Sequence, residues 1–225
     1  MSTTAMFREA AQAADVVRQQ LANNAVDVLR IGATLRTLSP RAVVTCARGS
    51  SDHAATYAKY LIETYTRTLT SSAAPSLSSV YDATPDLEGV LFIAISQSGK
   101  SPDLLAAVDD AKRCGAFVVA LCNTTASPLA DRADALIPLH AGLEKSVAAT
   151  KSFIASLSAV IHLLATWTQE RELANALSSA PDLLGRAWDC DWKIATPTLR
   201  DAINLYVIGR GYGLGVAQEA ALKFK

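Results

Sequence analysis

The sequence predicts an α/β fold: a doubly wound, mostly parallel five-stranded sheet flanked by helices. Three observations predict it. Short, continuous apolar runs alternate with longer helical patterns, as strands buried on both faces of a parallel sheet do. After the main apolar runs a small turn carrying Gly, Ser or Asn precedes the next helix. Half of the 225 residues are hydrophobic and 19% are charged, a composition able to bury a large core.

The elements can be justified in order. Residues 5 to about 36 keep Val16, Val17, Leu21, Val28, Leu29 and Ile31 at helical spacing, which predicts one long helix or two shorter ones. In "SPRAVVTCARGSSDHAATYAKYLIETY" a Pro stop, a β-branched run at Val43 to Thr45, a turn at Gly49 and a helix through Tyr65 form the first βα unit. A short strand is expected around Leu77 to Tyr81. Val90 to Ile95 is a wholly apolar strand with its helix from Pro102, and "AFVVALCN" followed by "SPLADRA" repeats that plan. "ALIPL" supplies the last strand, before a long apolar helix expected from near Lys145 to about Trp167. Residues 170 to 200 have a helical pattern of mixed polarity. "LYVIGRGYGLGVAQEAALKF" then repeats the first unit, with Arg210-Gly211 aligned on Arg48-Gly49. That is either an internal repeat or generic chemistry shared by two βα units.

The expected organisation is an N-terminal helical segment (1–36), a first domain (37–170), a helical linker (171–200), and the first strand and helix of a second, truncated copy (201–225). Such a sheet is flavodoxin-like, with ligands beyond the carboxyl ends of its strands at the switch point.

Composition also excludes. The formal net charge is zero and no Lys/Arg cluster stands out, so no nucleic-acid partner is expected. No segment approaches the apolar length of a membrane span and the N-terminus lacks a signal-peptide pattern, so no membrane partner is expected and the cytoplasm is the default location. Cys46, Cys114, Cys122 and Cys190 form no C-x-x-C pair and read as reduced, mostly buried small hydrophobes. His53, His140 and His162 lie in separate elements without ligand spacing, so no metal is expected. His162 on its apolar helix reads as a satisfied core residue. His53 either approaches a substrate or is solvated.

The stretch "VLFIAISQSGKSPDLL" (90–105) leaves its strand through Ser96, Gln97 and Ser98, crosses Gly99, and opens a helix at Ser101-Pro102. Ser101 as N-cap and Pro102 at the first helical position leave first-turn N–H groups aimed where an anion would lie. Ser50 and Ser51 bring hydroxyls from the neighbouring loop. The stretch is either an ordinary capped turn or one wall of a phosphate cradle. A dinucleotide fingerprint does not fit, because "IGRGYGLG" misses the third glycine. Nor does a hydrolase elbow, because "SQSGKS" lacks the first glycine of G-x-S-x-G.

With "ARGSSDHA", "ISQSGKSPD", "LCNTTASPLADRAD", "EKSVAATKSF" and "GRGYGLGVAQEAALKFK" in this order, the chain resembles the sugar isomerase (SIS) domains. It looks closest to the glucosamine-6-phosphate deaminases built from two tandem SIS domains, and next to the isomerase half of glucosamine-6-phosphate synthase. The resemblance implies that Ser51, Ser96, Ser98 and Ser101 hold the phosphate of a sugar phosphate. It implies sugar contacts at Ser50, Gln97, Val147, Ala148 and Ala149. The synthases usually carry a Ser at the position of Ala149, so one hydroxyl contact is absent or replaced here. Lys223 matches a Lys that helps proton transfer at the C1 and C2 end, and Glu219 an acid one helical turn earlier. No cofactor is implied.

A synthase would need a glutaminase domain with an N-terminal Cys nucleophile, for which the chain has no room. Deamination coupled to aldose–ketose isomerisation is therefore the expected activity, giving fructose 6-phosphate and ammonia. The family's base lies three residues after the match to Lys223, just past Lys225. The chain is therefore expected to be a fragment or a product cut short, able to bind a sugar phosphate but to turn over little or none of it. The alternatives are the isomerase part of a synthase-like enzyme, a non-catalytic module that senses a phosphosugar, or a purely structural domain. A homodimer is expected, with the apolar helix 145–167 suited to its interface.

Overall fold

The computed structural model describes residues 4–81, 83 and 85–225. Helices α1 (Ala5–Ala10) and α2 (Ala13–Leu38) lead into strand β1 (Ala42–Cys46), helix α3 (Ser50–Thr66), strand β2 (Thr70–Ser72) and the single turn α4 (Ser76–Ser79). Strand β3 (Val90–Ser96), α5 (Pro102–Arg113), β4 (Phe117–Cys122), α6 (Pro128–Arg132) and β5 (Ala135–Pro138) follow. Helices α7 (Lys151–Thr168) and α8 (Arg171–Trp188), a 3-10 turn (Trp192–Ala195), α9 (Thr196–Arg200) and α10 (Gly213–Lys223) complete the chain.

The five strands form one sheet in the order β2-β1-β3-β4-β5, and every pairing is parallel. Side chains alternate across a strand, so β3 feeds two cores at once. Leu91, Ile93 and Ile95 join the core under α2, α3, α7 and α8, while Phe92 and Ala94 join the one under α5 and α6. All seven β3 residues are buried. This double cover is why the strand carries no polar alternation.

Five expectations are corrected. The second strand is Thr70–Ser72, and Leu77 to Tyr81 instead holds α4 and the turn after it. An edge strand needs only a partner on one side, and Thr70 to Ser72 find it in Val43 to Thr45 without apolar side chains to announce it. The long helix begins at Lys151, not near Lys145, because Glu144 caps it. The Glu144 carboxylate accepts from the N–H groups of Thr150 (2.7 Å) and Lys151 (2.9 Å) and from the hydroxyls of Thr150 and Ser152. That same helix is not available as an interface. Twelve of its residues are buried, and it packs internally against α2, α3 and α8. The apolar run Leu205 to Ile208 forms no strand, since no described segment lies beside it to complete a ladder. Only Cys46 and Cys122 are buried; Cys114 is half-buried and Cys190 exposed.

The turn of the suspected repeat is nonetheless reproduced. Gly49 and Gly211 both adopt positive φ, 58° and 56°, and each carbonyl accepts an N–H three residues on, from Asp52 and Leu214. The N-terminal segment resolves into two helices, broken at Ala11 and Gln12.

Candidate functional site

The sheet order reverses direction at β1: the chain steps outward to β2, then back past β1 to β3. Loops leaving β1 and β3 therefore diverge to opposite faces and leave a crevice between their strand ends. Register places Cys46 beside Ala94, so the 47–49 and 97–101 loops emerge next to one another. The serines singled out in the sequence sit on these loops and on the helix starts that follow them.

In the β3–α5 loop, Ser96 is buried and its Oγ accepts from the Gly99 N–H at 3.0 Å, which closes a tight turn. Ser98 Oγ accepts from the Lys100 N–H at 3.4 Å. Ser101 occupies the N-cap of α5 with Pro102 behind it, yet its side chain makes no capping bond. The loop is pinned from behind by the β4–α6 loop. The Gln97 carbonyl accepts from the Thr124 N–H (3.3 Å), the Ser96 carbonyl from Asn123 (3.3 Å) and the Gly99 carbonyl from Leu129 (3.2 Å). Gly99 has φ +65°, and a Cβ there would lie 2.4 Å from Ser127 Oγ, so only glycine fits. Ser96 and Ser98 each accept a backbone N–H in this turn, which leaves their hydroxyl protons, like that of Ser101, free to donate.

On the β1 side, α3 starts at Ser50 with Gly49 as an uncapped N-cap. Ser50 and Ser51 thus stand at a second free helix N-terminus beside the first. Two such ends favour a small anion through the helix dipole and unpaired N–H donors.

Helix α10 lies along α3, and Gly215 makes the contact possible, since a Cβ there would come within 2.4 Å of the His53 carbonyl. This packing brings Glu219, only 3% exposed, to the first turn of α3. Its carboxylate accepts from His53 Nδ1 (2.7 Å), from Lys223 Nζ and from the Ser50 hydroxyl. Burial pushes the Glu219 pKa up, but the bonds from Lys223, His53 and Ser50 outweigh it and hold the carboxyl below its usual range. Lys223 Nζ also donates to the Ala149 carbonyl. An ammonium has three protons, and two are used, so one remains for a substrate oxygen.

Ser50, Ala149, Glu219 and Lys223 are therefore brought into one bonded cluster. Ser96, Gln97, Ser98 and Ser101 lie on the end of β3 and the loop to α5, and Ser51 on the first turn of α3. Val147 and Ala148 precede Ala149 on the 143–150 loop, with the Val147 side chain almost wholly exposed. His53, left open between substrate and solvent, instead holds Glu219. The sequence did not reveal that pairing, because 166 positions separate the two residues. His162 is not the satisfied core residue expected: its Nδ1 is buried without a partner among the described residues, and burial lowers its pKa. Among the described residues no group of three or more His, Cys, Asp or Glu is placed to hold a metal ion, and no helix is long and apolar enough to cross a membrane.

The fold defines a class: an open, all-parallel α/β domain whose sheet order reverses at β1. The chain belongs to the SIS-domain family, whose model matches residues 38–166. It is 36% identical over 194 residues to a glutamine–fructose-6-phosphate aminotransferase (isomerizing) of Thermotoga maritima, covering 81% of this chain and 31% of the relative. To the enzyme of the same name in Corynebacterium diphtheriae it is 34% identical over 213 residues, 89% of this chain and 34% of the relative. The chain spans about a third of the length of these curated relatives. Among solved structures, a Silicibacter pomeroyi protein provisionally described as a phosphosugar isomerase superposes with TM-score 0.94 at 44% identity, covering 98% of this chain and 68% of that one. A glucosamine-6-phosphate deaminase of Thermotoga maritima shares the fold, with TM-score 0.72 at 19% identity over 98% of this chain and 66% of that one.

Proposed function

We propose that the protein binds a sugar 6-phosphate and belongs to an aldose–ketose isomerase that deaminates glucosamine 6-phosphate to fructose 6-phosphate and ammonia. The observation that carries this is the pair of helix N-termini without side-chain caps at the switch point, with serines at both, beside the buried Glu219 carboxylate and its partner Lys223. The phosphate sits between the α3 and α5 N-termini on Ser51, Ser96, Ser98 and Ser101. Ser50, Gln97 and the Val147–Ala149 segment face the sugar carbons. In the opened sugar a base takes the C2 proton, the electron pair forms the 1,2-enaminol, and reprotonation at C1 leaves a C2 imine. Water hydrolyses that imine, releasing ammonia and the ketose. Lys223 serves the oxygen at the C1 end with its third proton, held in place by Glu219 and the Ala149 carbonyl. The same reading includes pairing of two copies, which light scattering would check.

The 34–36% identity to the aminotransferases favours a second possibility, the isomerase part of a synthase-like enzyme. A phosphosugar sensor would have little use for a buried carboxylate held by a lysine, since desolvating that charge costs stability that binding alone does not require. Incubation of the full-length protein with glucosamine 6-phosphate, and separately with fructose 6-phosphate, separates the readings. Fructose 6-phosphate and ammonia in equal amounts support deamination. Interconversion of fructose and glucose 6-phosphates without ammonia release supports the isomerase. Binding without turnover of either supports the sensor.

A further inference from the structure

Glu9 is a buried carboxylate outside every motif singled out above, and it lies far from Ser98 and Ser101 in sequence. It sits on α1, a six-residue helix too short to hold itself together in water. Contacts of Phe7 and Glu9 help fix α1 in place. The Phe7 ring packs on the Trp188 ring at the end of α8, with centroids 4.7 Å apart. The Glu9 carboxylate accepts from the N–H of Lys145 (2.7 Å), the N–H of Ser146 (3.1 Å) and the Ser146 hydroxyl. These bonds hold its carboxyl below the usual range. In the α1–α2 break, Gln12 Oε1 accepts from the buried Lys151 Nζ at 2.8 Å. The N-terminal segment thus grips both ends of the loop from Lys145 to Lys151. Between the two grips lie Val147, Ala148 and Ala149, and the Ala149 carbonyl accepts from Lys223.

We propose that Glu9 is a positioning residue: its carboxylate latches the backbone of Lys145 and Ser146 and so sets the Val147–Ala149 segment against Lys223 and the sugar. The inference rests on the proposed sugar contacts of that segment. It goes beyond them in giving the N-terminal helix a part in recognising the sugar, separate from holding the phosphate. A loop fixed by three charge-assisted bonds at one end is pre-organised; without them it must be ordered when ligand binds.

The test compares the wild type with Glu9→Ala and Glu9→Gln. Hydrogen exchange needs no ligand: in Glu9→Ala the Lys145 and Ser146 amides are expected to exchange about tenfold faster or more, while β1 and β3 keep wild-type protection. Calorimetric titration adds the second arm. Fructose 6-phosphate should bind Glu9→Ala about tenfold more weakly, whereas inorganic phosphate should bind unchanged. Glu9→Gln keeps one acceptor oxygen and should fall between. Unaltered exchange at 145–146 overturns the latch whether or not any ligand binds. Equal weakening for phosphate and fructose 6-phosphate also overturns it, because Glu9 would then support the fold generally. A wild type that binds neither ligand removes the phosphosugar reading, while the exchange result still decides whether the latch exists.

Discussion

Gly99 shows how one residue can be fixed by two demands at once. Its positive φ and the Ser127 side chain behind it leave no room for a Cβ. Gly99→Ala should lower stability by about 2 kcal/mol or more in a urea titration, from backbone strain and displacement of the β4–α6 loop. Ser98 and Ser101 test the opposite property, since their hydroxyls support little of the fold. Ser98→Ala or Ser101→Ala should leave the urea midpoint nearly unchanged and weaken phosphate binding about tenfold, as a hydrogen bond to a charged group is worth about 1.5–3 kcal/mol. Cys46 offers a check on burial. Its thiol, enclosed in β1, is pushed up to about 11, so it should resist alkylation at pH 8 while exposed Cys190 reacts.

Among the elements, α10 depends on a pH-sensitive contact. The folded pKa of Glu219 is depressed, so its carboxylate stabilises the docked helix above the ordinary carboxylate range. That contribution is lost as pH falls below 4.5 and through the lowered folded value. Amide exchange in α10, corrected for intrinsic rates, should therefore show weaker protection at pH 3.5 than at pH 6, and Glu219→Gln should reduce that difference. Helix α7 depends on its cap. Glu144→Ala removes four acceptor contacts from the helix start and should cost about 1–3 kcal/mol. The sequence showed the apolar body of α7 but not its start, because a cap six residues ahead of the helix leaves no periodic trace. β3 was legible in full because both faces are buried. β2 was not, because Thr-Ser-Ser at a sheet edge pairs through backbone alone.

At the scale of the molecule, the site is assembled from distant stretches that the sequence could name but not join. The serines proposed to hold the phosphate were legible as motifs on βα loops, since strand, turn and helix start each leave a local signature. The bonds from His53 to Glu219 and from Ser146 to Glu9 were not, since each spans more than a hundred residues. The exposed Tyr206 and Ile208, with Ile203 just before them, belong to a segment that the sequence marked as a strand and the fold leaves unpaired. Strand propensity there waits on a neighbour that no described segment supplies.

The central claim is that the switch-point crevice recognises a phosphate carried by a sugar. Calorimetric titration of glucosamine 6-phosphate against unphosphorylated glucosamine tests it most directly. The phosphorylated sugar should bind, the free sugar should bind at least about a hundredfold more weakly, and Ser98→Ala should narrow that gap. Equal affinity for the two sugars, or a gap unaffected by Ser98→Ala, would contradict it.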